Sequence, residues 1–128
     1  METKEEYQIS SSINEGILEF ILSGEILESQ INTMLKECNA TILASGVKYI
    51  LVDVRAIKGR YGYAGAYARV RSHPPEYYGR IKVAMVDLPE NSDYRNFHET
   101  TALNAGLNVK WFTDIDAARA SLKRNKKK

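Results

Sequence analysis

The segment Val47–Ser72, VKYILVDVRAIKGRYGYAGAYARVRS, decides how the rest of the chain is read. From Val47 to Val54 it is mostly apolar, and Ile50, Leu51 and Val52 put apolar groups on both sides of an extended chain. An element that is apolar on both faces suits a central strand covered twice, as in parallel sheets. Gly59, Gly62 and Gly65 punctuate the turn that follows. An Ala-rich helix is predicted over about Gly62–Ser72, and Pro74 and Pro75 cannot continue it.

Downstream, Ile81–Asp87 (IKVAMVD) repeats the pattern of a buried strand. Asn91 or Ser92 can cap a helix predicted to run to about Ala105, with Tyr94, Phe97, Thr101 and Ala105 on one face and Gly106 as its stop. Val109–Thr113 reads as a short strand, and Asp114 caps a last helix in which Ala118 and Leu122 face inward. Upstream, Gly46 ends a helix predicted from about Leu27. Its apolar stripe is Leu27, Ile31, Met34, Leu35, Cys38, Ile42 and Leu43, and Glu25 and Glu28 lie where a helix N-terminus favours negative charge. Before it, Tyr7–Ser12 and Gly16–Ser23 alternate as strands around the turn formers Asn14 and Gly16. Leu18, Phe20 and Leu22 would share one side of the second strand, and Ile17, Glu19 and Ile21 the other. The predicted fold class is α/β: β-β-α-β-α-β-α-β-α, a mixed, mostly parallel sheet of about five strands with an N-terminal antiparallel hairpin.

The chain has 128 residues, 44% hydrophobic and 27% charged, which fits one domain with a real core. Residues 1–122 are assigned to it and 123–128 to a basic C-terminal tail, expected to be disordered and solvated or, alternatively, to touch nucleic acid or a membrane surface. Five of the last six residues are basic, so the net charge of +2 leaves 13 basic against 16 acidic groups, or −3, for the body. Cys38 stands alone, so no intramolecular disulfide forms, and one Cys with His73 and His98 makes no zinc pattern. A reducing, cytoplasmic setting is expected. METKEEYQ is acidic and polar, unlike a signal peptide. The apolar run Ile17–Leu22 contains a charge and is far short of the roughly 20 residues that span a bilayer.

This order of elements, with a strand ending in Asp53 before a variable turn and short helix, resembles the STAS superfamily. More narrowly it is similar to the stand-alone bacterial STAS/SEC14 (SpoIIAA-like) proteins. The matching pieces are ILEFILSGEI (Ile17–Ile26), YILVDVRAIKG (Tyr49–Gly59), IKVAMVD (Ile81–Asp87) and WFTDIDAARASL (Trp111–Leu122). They cover nearly the whole chain. Most are hydrophobic patterns, and the aromatic-Thr-Asp-Ile-x-x-Ala ending is the most distinctive. The resemblance implies helices packed on a mixed sheet, used for protein contacts or small ligands. In phosphorylation-switched STAS proteins an Asp-Ser-Ser-Gly-like segment opens the helix after this strand. Here Tyr61-Gly62-Tyr63-Ala64-Gly65 stands there, and no Ser or Thr lies between Asp53 and Ser72. A phosphoserine switch is therefore not expected, and sigma-factor regulation does not carry over.

Several residues could carry chemistry. The glycines of Gly59–Gly65, with Arg55, Lys58 and Arg60, could cradle an anion or simply serve a turn; the spacing is neither GxGxxG nor a P-loop. Tyr61, Tyr63, Tyr67, Tyr77 and Tyr78 are interleaved with basic residues, as in protein interfaces or single-stranded nucleic-acid grooves, although a solvated helix face has the same composition. The candidate interaction surface is Arg55, Lys58, Arg60, Tyr61, Tyr63, Tyr67 and Arg71. Asp53 and Asp87 fall at the carboxyl ends of parallel strands, where open α/β sheets place ligands, and with Tyr94 and Phe97 they make the candidate ligand pocket. His98 and Glu99 point apart on a helix, and no Ser/His/Asp order is persuasive, so no catalytic residue, metal ligand or cofactor is nominated. The expected function is a non-enzymatic STAS-like module that binds a protein partner, a second copy of itself included. The alternative is a carrier of a small apolar or lipid-like ligand in a SEC14-like pocket, and nucleic acid is not the expected partner.

Overall fold

A computed structural model describes residues 7–25, 28–58, 81–91, 100 and 108–126. The described residues form a sheet with the strand order β1 (Gln8–Asn14), β2 (Ile17–Glu25), β3 (Tyr49–Lys58), β4 (Lys82–Val86), β5 (Asn108–Phe112). β1 pairs antiparallel with β2, and every later neighbour is parallel. The described residues also form the helices α1 (Ile31–Ser45) and α2 (Ile115–Lys126) and short 3₁₀ turns at Glu28–Gln30 and Pro89–Asn91. This is the mixed α/β sheet with an N-terminal hairpin that the sequence predicts. The predicted helix over 62–72, and nearly all of that over 91–105, lie outside the described residues.

The hairpin is tighter than the sequence suggests. Ile13 and Asn14 stay in β1, Asn14 faces Ile17, and only Glu15 and Gly16 make the turn. Both have positive φ, 53° and 80°, the geometry whose twist matches two antiparallel strands. Gly16 adopts it freely; Glu15 is the one non-glycine among the described residues that bears that strain.

Alternation along β2 and β3 sorts their side chains onto two covered faces. On the first, Leu18, Phe20, Leu22, Ile50 and Val54 are buried, with Ile42 of α1 and Ile81, while Met34 and Cys38 pack against them half-buried. The stripe on α1 is thus Met34, Cys38, Ile42, spaced by four. Leu43, expected on it, is 43% exposed, because the next residue along a helix lies about a quarter-turn away. α1 also starts later than expected, at Ile31 after the 3₁₀ turn. Gly46 ends it as predicted, in the left-handed conformation at φ 72°. Ser45 reinforces the stop, its Oγ donating to Ile42 O at 2.8 Å and accepting from Val47 N–H at 3.0 Å.

The second face carries Ile17, Leu51, Ala84 and Val86 under Ala118 and Leu122 of α2. Asp114 caps that helix, its Oδ2 accepting the Ala117 N–H at 3.1 Å. Ile50 and Leu51 are both wholly buried, on opposite sides of one strand. At roughly 1.5–3 kcal/mol for each such side chain, neither face can be left bare. α2 runs four residues past the buried Leu122, to Lys126.

Candidate functional site

The apolar run Ile17–Leu22 of β2 is broken by one acid, Glu19, and alternation puts it on the α2 face, where it is 7% exposed. A carboxylate there needs a partner. Arg119, one turn beyond the start of α2, supplies it as a fork: Nε donates to Glu19 Oε2 at 2.8 Å and Nη2 to Oε1 at 3.1 Å. Arg119 Nη1 also reaches Asp116 at 3.5 Å. One turn further on, Lys123 pairs with Glu15 of the hairpin turn. Asn14, Glu15, Ile17, Glu19, Arg119 and Lys123 line a hollow of about 250 Å³ between the hairpin and α2.

A second fork lies on β3. Ile21 aligns with Asp53 but Ser23 with Ala56, so β3 carries one extra residue, a bulge. There Arg55 folds back on Asp53. Its backbone N–H and Nε both donate to Oδ1, at 3.1 and 2.9 Å, and Nη2 donates to Oδ2 at 2.8 Å. Burial pushes the Asp53 carboxyl up. The bonds from the Arg55 side chain and backbone, with the charges of Arg55 and Arg119, outweigh it and hold the group below the ordinary aspartate range. The Arg55 guanidinium is raised, first by its bond to Asp53, and that of Arg119 likewise, first by its bond to Glu19. Asp53, Arg55 and Arg119 are therefore charged at neutral pH.

The predicted site residues separate. Arg55 and Lys58 are exposed at the carboxyl end of β3, while Arg60, Tyr61, Tyr63, Tyr67 and Arg71 lie outside the described residues. Of the predicted pocket, Tyr94 and Phe97 also lie outside them, and Asp53 and Asp87 are both buried. Asp87 Oδ1 accepts the Leu88 N–H at 2.7 Å, and the charges that act on Asp53 are those of Arg55 and Arg119. An aspartate held ionised in an arginine fork is a poor general acid or base near neutral pH. Among the described residues no three His, Cys, Asp or Glu gather as metal ligands would. Cys38 is a core thiol, pushed up to about 12 by burial and then by Glu37, which suits packing better than nucleophilic attack.

Glu19 and Arg119 were not among the predicted site residues. The signal for Glu19 was present, a lone acid in the apolar run Ile17–Leu22. Its partner stands 100 residues away, and no local pattern marks Arg119 out from the other basic residues.

No family model matches the chain, and no curated protein does. Solved structures do. An anti-sigma factor antagonist from Mycobacterium paratuberculosis superposes with a TM-score of 0.61 at 16% sequence identity, over 91% of this chain and 94% of that one. An uncharacterized protein of the DUF3478 family with a SpoIIAA-like fold, from Shewanella loihica PV-4, gives 0.60 at 14% identity, over 95% and 98%. Identities this low speak for architecture alone, and on that ground the chain has the STAS/SpoIIAA-like fold.

Proposed function

We propose that the chain is a non-enzymatic, cytoplasmic STAS-type module that binds a protein partner through the surface beginning at Arg55 and Lys58. The observation that carries this reading is the Arg55 fork. Its guanidinium is clamped by Asp53 yet 39% exposed, so it reaches a partner already oriented. An arginine whose rotamer freedom is spent before contact is the kind of residue that anchors interfaces. The tyrosines that follow in sequence, Tyr61, Tyr63 and Tyr67, supply the chemistry usually found beside it. Likeness in architecture to an anti-sigma factor antagonist supports a regulatory contact over a reaction. The carrier reading needs an apolar pocket. The hollow under α2 has the opposite chemistry, with two acids, two bases and an amide around Ile17.

The test is quantitative affinity purification of the tagged chain from its host, beside Lys58→Glu and the pair Tyr63→Ala with Tyr67→Ala. The reading expects a partner recovered by the parent and lost from both variants while their melting curves stay unchanged. Equal recovery by all three would remove the surface from consideration, and a co-purified lipid-sized mass in native spectra would favour the carrier.

A further inference from the structure

The two edges of the sheet are not alike. β5 is five residues long and carries exposed Lys110 at its centre, a charge of the kind that keeps strands from adding to an edge. β1 is seven residues long, has no charge, proline or bulge, and is exposed along almost its whole length. An unguarded edge of that length invites another strand.

The sequence of β1 says which strand fits. Gln8-Ile9-Ser10-Ser11-Ser12-Ile13-Asn14 reads nearly the same in both directions about Ser11. Strand geometry agrees with that centre. A two-residue turn makes Asn14 and Ile17 a hydrogen-bonded pair, so by alternation Ser12, Ser10 and Gln8 also bond to β2. The N–H and C=O groups of Ile9, Ser11 and Ile13 therefore point away from the sheet. A two-fold axis at Ser11 would meet an outward-facing residue, as an antiparallel ladder between copies requires.

We infer that β1 is a self-complementary docking edge, and that its occupant is β1 of a second copy, paired antiparallel about Ser11. Ser11 then exchanges both backbone bonds with Ser11 of the copy, and Ile9 does so with the copy's Ile13. On one face Ile13, 55% exposed in the single chain, comes beside an isoleucine. On the other, Ser10 meets Ser12 and Gln8 meets Asn14, all neutral, so no like charges oppose each other. A contact of this size is smaller than a standard stable interface, so the dimer is concentration-dependent. This inference rests on β1 and is independent of the surface near Arg55.

Sedimentation equilibrium from micromolar to about 1 mM is the first measurement. The parent should move from monomer toward twice its mass. Ser11→Lys, which sets like charges opposite each other, and Ser11→Pro, which deletes the outward N–H, should both remain monomeric. Cross-linking reads the register without relying on either variant. In a Cys38→Ala background, Ser11→Cys brings two Cα atoms to about 5.5 Å, within disulfide reach. Gln8→Cys leaves its sulfurs about 20 Å apart, so it should not cross-link on mild oxidation. A parent that is monomeric throughout, a dimer that survives both Ser11→Lys and Ser11→Pro, or equal cross-linking at positions 8 and 11 would each overturn the inference. So would a dimer abolished by Lys58→Glu but untouched by Ser11→Lys, which would place the contact at the Arg55 surface instead.

Discussion

Cutting Arg119 back to alanine removes both bonds to Glu19 and leaves that carboxylate, 9% exposed at its side chain, facing the underside of α2. For a fully buried pair, losing one partner costs about 3–5 kcal/mol. Arg119 is itself 37% exposed, so water reaches the vacated position and takes up part of that penalty. We expect about 2–3 kcal/mol for Arg119→Ala, some of it from packing lost along the side-chain stem. Glu19→Gln should cost less, about 1 kcal/mol, because Arg119 can turn to Asp116 and solvent. The double variant should be no less stable than Arg119→Ala alone, a coupling of about 1–2 kcal/mol. Urea unfolding at a constant m-value measures all three differences. If Arg119→Ala shifts stability by less than about 0.5 kcal/mol, or the two costs simply add, the fork does not secure α2 and the argument from Glu19's burial is wrong.

Other expectations follow from the same geometry. Asp53 has a folded pKa below its unfolded value, so its contribution is present above the unfolded pKa, near 3.8, and is lost as pH falls through the lower folded value. Asp53→Asn should therefore flatten that part of the stability–pH curve below about pH 4; an unchanged slope would refute the assignment. At Gly46 an added Cβ would meet nothing within 4 Å, so Gly46→Ala should cost about 1 kcal/mol from the left-handed φ alone, read by urea midpoint. Cys38 should resist alkylation at pH 8 in the folded chain and react promptly in denaturant, because its thiol is pushed up to about 12; prompt labelling of native protein would contradict its core placement.

What local pattern can encode was legible in advance. Ile50 to Val52, apolar on both sides, announced a doubly covered strand, and Gly46 and Asp114 marked helix ends through backbone needs that only a few residue types satisfy. Leu43 shows the limit of such reading: a stripe drawn too wide cannot tell which edge of a helix turns to solvent. The hairpin turn was placed within two residues, but not its conformation, since Glu15 has no special liking for positive φ. The forks were harder still. The sequence puts Asp53 at the end of its strand, but β3 runs on to Lys58, and the use of Asp53 depends on a bulge within β3 where β2 and β3 pair out of step. Arg119 was invisible because its role is fixed by how α2 lies over the sheet, within reach of Glu19 on β2, a relation between segments far apart in sequence.

That relation bears on how the chain is made. Synthesis proceeds from the amino end, and the hairpin, α1 and β3 all leave the ribosome before Ile115. Until α2 emerges, Ile17, Leu51 and Val86 lack the cover that Ala118 and Leu122 give them, and Glu19 waits for a cation that has not yet been translated. A nascent chain stalled before residue 115 would present a greasy, half-built surface to chaperones, and release from them should coincide with the appearance of Arg119 and Leu122 outside the exit tunnel.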